Sequence, residues 1–120
     1  MVGLNNDGKG IMLEAIDATF AFASLHTDDP GTGGTSEVTG GTPAYARQAL
    51  SWAAASGGTK SSDAPLVFDV PASTTIKFLG YWSLVSGGTF YGSRALDTNQ
   101  TFATQGTYTV AAGDVDEVLT

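Results

Sequence analysis

A chain of 120 residues has room for one domain with a hydrophobic core and too little for two. Its formal charge is −7 and its five basic residues, Lys9, Arg47, Lys60, Lys77 and Arg94, stand singly, so no cluster can neutralise successive phosphates or hold an anionic membrane surface. With no cysteine and a single histidine, disulfide frameworks, thiolate metal sites and cysteine nucleophiles are excluded together.

The first stretch, residues 1–18, reads as a helical segment. Asn6 and Asp7 can cap it, and Met12, Ala15, Ile16 and Thr19 fall near one face over a helix of about Lys9 to Ala18. Glu14 and Asp17 interrupt the apolar run, so it lacks the hydrophobic region of an export signal, and synthesis in a cytoplasm without export is expected. Thr19 to His26 alternates as a strand, with Phe20, Phe22, Ser24 and His26 on one face and Ala21, Ala23 and Leu25 on the other. Residues 27–44 form a long Gly/Thr loop with almost no apolar side chain; an ordered loop of that length in a small domain usually has a task.

Tyr45 to Ser56 is rich in alanine, yet Leu50 and Trp52 at spacing two favour a strand. Turn signals then recur at Ser56, Val70, Ser86, Asp97 and Ala111, with short apolar stretches between them. Within the hairpin Thr75 to Leu96, Ile76, Phe78, Gly80, Trp82 and Leu84 share a face, and Phe90, Gly92, Arg94 and Leu96 continue it beyond the Gly87-Gly88 turn. Leu79 and Tyr81 make the opposite face apolar too, which calls for a central position or cover by a neighbouring subunit. The expected fold is a single mainly β domain over 1–120, an antiparallel β-sandwich of jelly-roll-like or Ig-like type with one short N-terminal helix.

Chemistry-bearing patterns are sparse. His26 precedes Asp28 and Asp29, but a catalytic zinc site would need further ligands, and the twelve-residue calcium loop is missing. No G-x-S-x-G elbow occurs, and the GGT repeats at Gly33, Gly40, Gly57 and Gly87 fit neither the Walker nor the dinucleotide fingerprint, leaving turns as their explanation. We therefore expect no enzyme, no catalytic or metal residues, no cofactor, and neither nucleic acid nor membrane as partner. Tyr81 and Tyr91 are candidate contacts for a glycan.

The features Leu25-His26-Thr27, Asp29-Pro30-Gly31, Glu37-Val38, Gly40-Gly41, Tyr45-Ala46-Arg47-Gln48, Trp52, Trp82-Ser83 and Gly87-Gly88-Thr89-Phe90 resemble a family of small virion proteins from tailed phages of actinobacteria. These are commonly labelled minor tail, tail-fibre or virion structural proteins. The acidic ending DVDEVLT departs from that pattern. The resemblance implies a non-enzymatic structural protein on the particle exterior, either a capsid decoration or a minor tail protein, with a glycan-binding receptor module of the tail as the rival reading. It implies other virion proteins, major capsid or tail, as partners, with host surface glycan as a further candidate, and homo-oligomeric assembly in the host cytoplasm. The residues expected to serve docking are Asp28, Asp29, Arg47, Leu79 and Tyr81, with Arg47 paired to Asp28, Asp29 or Glu37 to orient the loop.

Overall fold

The computed structural model describes residues 20–112 and the backbone of 116–118; the expected N-terminal helix lies outside them. The described chain is mainly β and antiparallel throughout. Its strands are β1 (Phe22–His26), β2 (Gln48–Ala49), β3 (Thr59–Ser61), β4 (Leu66–Val70), β5 (Thr74–Trp82), β6 (Phe90–Phe102), β7 (Gly106–Val110) and β8 (Asp116–Val118). They form one four-stranded sheet ordered β2-β1-β5-β6 and two ribbons, β3-β8 and β4-β7.

Alternation dictates how the sheet is buried. Ala23 and Leu25 of β1 lie opposite Tyr81 and Leu79 of β5, and all four belong to one core cluster with Leu66, Phe68 and Val70 of β4 and Val110 of β7. The β4-β7 ribbon thus supplies the cover for this face. Burying a ring such as that of Phe68, which is 0% exposed, contributes about 2–3 kcal/mol. Leu79 and Tyr81, expected at a subunit interface and, for Tyr81, against glycan, are each 3% exposed, because the chain's own core already takes them.

On the opposite face of the same strands, Ser24 lies across from Gly80, His26 from Phe78 and Phe22 from Trp82. This second apolar face is closed by the loop that follows β1. Thr27 N–H donates to the Ser36 carbonyl at 2.9 Å and Val38 N–H to the Leu25 carbonyl at 3.0 Å, while Glu37 bridges His26. Since β5 occupies one edge of His26, Glu37 and Val38 must continue the β2 side. The excursion 27–36 therefore leaves and rejoins the sheet at one point, and its backbone folds back over the Trp82 face. Val38, 3% exposed, joins the core.

Other expectations are refined. Of Tyr45 to Ser56, expected as one strand, only Gln48–Ala49 makes a ladder, followed by isolated bridges from Trp52 to Ser62 and from Ser56 to Thr59. Phe20 precedes the strand and stacks on Tyr81 with centroids 5.2 Å apart, so it leaves the Ser24 face assigned to it by alternation. The turn expected at Asp97 lies inside β6. Ile76 pairs with Gln100 and Phe78 with Ala95, so one residue of β5 faces four of β6, and the turn-forming Asp97, Thr98 and Asn99 fall in this wide irregularity. Gly57 and Gly58, at φ 61° and 80°, make the tight turn between Ser56 and Thr59 that the GGT pattern signals.

Candidate functional site

The polar groups of the second face form one connected network at the base of the loop. The Trp82 indole N–H donates to Ser24 Oγ at 2.8 Å. The Ser24 hydroxyl meets His26 Nε2 at 2.6 Å, and His26 Nδ1 meets the Thr35 carbonyl at 2.8 Å. A carbonyl can only accept, so Nδ1 carries the proton, Nε2 is bare, and the serine hydroxyl must donate to it. Each proton in the chain from Trp82 to Thr35 thus has one assigned direction. Both Ser24 and His26 are 0% exposed, and burial holds the imidazole pKa below its usual value, outweighing the carbonyl bond and Glu37, which pull it up.

Gly80 makes this geometry possible. A Cβ there would collide with Ser24 Oγ and lie 2.6 Å from His26 Nε2. A glycine within a strand otherwise built of large residues marks such a close approach. Gly34 plays the matching part from the loop: at φ 74° it rests against the Trp82 ring, where a Cβ would stand 2.5 Å from Cζ2 and 2.9 Å from Cγ of Phe90. The cover over Trp82 is therefore backbone, and only glycine allows it to sit so low.

Arg47 closes the other side of Trp82. Its guanidinium carbon lies 3.6 Å from the indole centroid, a cation–π contact in a largely desolvated place. Nε and Nη2 each donate to Glu37 at 2.9 Å, on Oε2 and Oε1 respectively, the two-pronged geometry in which arginine and carboxylate match. Nη1 donates to the carbonyls of Leu84 and Gly87 at 2.9 and 2.8 Å. Tyr45 completes the set: its hydroxyl donates to Glu37 Oε2 at 2.8 Å and accepts the Leu25 N–H at 2.9 Å, with its pKa raised mainly by burial. At the loop's far end, Gln105 accepts from Thr42 N–H and donates to the Pro43 carbonyl, both at 3.2 Å.

The expected partnership of Arg47 is thus made with Glu37. Asp28 and Asp29 are exposed and shape their own turn, accepting the Asp29 and Gly31 N–H groups at 2.9 Å. Tyr91 is 43% exposed. Sequence reasoning did not single out Ser24, Gly80 or Trp82 for the site. Their signal is the shared parity of Ser24 and His26 on one strand and Gly80 and Trp82 on the other, which yields contacts only once register is known. The histidine, the glutamate and the arginine of the arrangement are all committed to internal partners.

No curated protein matches the chain. The sequence profile described as podophage GP4 fiber I protein gp80 matches residues 14–117, a span that contains every residue of the network. The chain therefore belongs to this family of phage fibre proteins, and is a virion-associated structural protein that associates with other virion components.

Proposed function

We propose that the chain is a non-catalytic component of the phage tail, carried on the particle exterior and assembled there in several copies. The observation that carries this reading is the family match over residues 14–117. The network supports its non-catalytic half. Both ring nitrogens of the chain's one histidine, His26, are engaged, at 2.6 and 2.8 Å, inside the protein, which leaves neither free to act on a substrate. Asp28 and Asp29, exposed on a loop anchored at both ends, then present fixed charge to a neighbouring virion protein. Cryo-electron microscopy of the intact particle at side-chain resolution tests the placement, and the sequence resemblance makes an actinobacterial phage the natural specimen. Density confined to the tail is expected; density repeating over the icosahedral shell would overturn the tail assignment and make the chain a decoration protein.

A second reading is favoured by Tyr91. This ring stacks on Phe20 at 5.5 Å and 23°, while remaining 43% exposed. An aromatic ring held by one neighbour and open to solvent suits stacking against a sugar. On this reading, Tyr91→Ala abolishes binding to host surface glycan and leaves the urea midpoint unchanged; undiminished glycan binding by that variant removes it.

A further inference from the structure

We propose that the excursion 27–36 is an acid-released latch whose catch is the imidazole of His26. Three observations on geometry carry it. The excursion is held over the Trp82 face by the bond from His26 Nδ1 to the Thr35 carbonyl, 2.8 Å, and by the seat of Gly34 on Trp82 and Phe90. The donor chain running from Trp82 through Ser24 to His26 Nε2 works for the neutral ring alone. Beneath the catch, Gly80 leaves no slack, since a single added carbon there would touch both Ser24 and His26.

Protonation adds a hydrogen to Nε2, aimed at Ser24 Oγ. That oxygen already receives the Trp82 N–H, so it becomes acceptor to two donors, and the serine's own proton loses the acceptor it had. A buried charge and a displaced hydroxyl proton arise in one step. The charged groups facing the ring do not offset this. Glu37, across the bridge from His26, favours the cation, and Arg47 opposes it; the two form a salt bridge at 2.9 Å. Tyr45 is committed to the same glutamate. Asp28 and Asp29 hold their own turn on the loop, and the strand residues packed around the ring, Phe78, Gly80 and Phe90, carry no charge.

The inexpensive relief is outward movement of the loop, which hydrates the imidazolium and uncovers Trp82 and Phe90. The anchors beyond the excursion, Glu37 on Arg47 and Gln105 on Thr42 and Pro43, do not depend on His26, so release is confined to the excursion. Acid thereby converts a closed polar surface into one that shows two aromatic rings, a change of the kind a pH-sensitive contact requires.

The test follows amide hydrogen exchange and the His26 ring proton resonances together by NMR, on the full chain, from about pH 8 to about pH 5. The protection factor of the Thr27 amide, bonded to Ser36 across the base of the excursion, is expected to fall at least about tenfold at the acid end, with a midpoint coinciding with the His26 titration, while amides of Val38 and of the β4-β7 ribbon keep their protection. His26→Asn, which retains a neutral donor toward Thr35, is expected to abolish the pH dependence. Unchanged loop protection while His26 titrates overturns the proposal. So does simultaneous loss in the β4-β7 ribbon, which signals global unfolding, and the wild-type titration alone decides between these outcomes if the variant does not fold.

Discussion

Gly80 and Arg47 are the positions where single atoms decide whether the second face of the sheet closes. At Gly80 the nearest obstacles are Ser24 Oγ and His26 Nε2, polar atoms already fixed by their own hydrogen bonds, so Gly80→Ala has to break the network or displace a strand. A loss of about 2–3 kcal/mol is expected, read as a lower urea midpoint at unchanged m value. Arg47 and Glu37 are a partly buried pair, with side chains 8% and 20% exposed, and Arg47 also satisfies two carbonyls. Removing either partner strands the other. A double-mutant cycle of Arg47→Ala with Glu37→Ala is expected to give a coupling energy of about 1–3 kcal/mol, well above that of an exposed pair. Arg47→Lys keeps the charge yet is expected to recover little, because a point charge cannot span Glu37, Leu84, Gly87 and the indole. His26 gives stability its own pH dependence. Its folded pKa lies below the ordinary 6.5, so between these values the unfolded chain binds more protons than the folded one. Stability is then full above about pH 6.5 and declines as pH falls toward the folded value. Urea titrations across this range should show that slope in the wild type and lose it in His26→Asn.

At the scale of elements, the sequence exposed what short-range pattern controls. β1, β4, β5 and the first part of β6 follow from alternation, and the paired glycines mark real turns. The same logic stopped β6 too early, because Asp97, Thr98 and Asn99 have turn chemistry and use it inside a bulge while the strand continues to Phe102. Two-sided burial of β5 was also legible, but the identity of its covers was not. The β4-β7 ribbon takes Leu79 and Tyr81 out of reach of any partner, and the other face is shielded by the polar excursion, whose lack of apolar side chains hides its packing role. Composition marks such a segment as loop; only register reveals that Gly34 lies on Trp82. The pairing of Arg47 with an acid was readable from the isolation of opposite charges around the loop, whereas its selection of Glu37 over Asp28 and Asp29 depends on the Glu37–His26 bridge. Lys60, one of the scattered cations in sequence, is fully buried on β3 and donates to the Ala53 carbonyl at 2.9 Å, again a consequence of ribbon packing.

At the scale of the whole molecule, a fibre protein must keep its shape while neighbouring subunits pull on it. The features that resist deformation here are spread over distant parts of the chain. Trp82 bonds to a serine 58 positions away, and Arg47 to carbonyls 37 and 40 positions ahead. Gln105 reaches back 63 and 62 positions to the loop. None of these contacts can form before long segments have been closed, and each closure must be completed before the contact repays it. Folding is accordingly expected to be slow for a domain of this size, with a time constant of milliseconds to seconds. Stopped-flow fluorescence of a Trp52→Phe variant, in which Trp82 is the sole indole, checks this; a microsecond phase carrying the full signal would contradict it. The stacking of a guanidinium on Trp82 has a temporal consequence as well. Because the indole is enclosed by a strand partner, a returning loop and an arginine drawn from three separate stretches of chain, its emission should reach the native value only at the end of folding, making this ring a clock for the last closure rather than the first collapse.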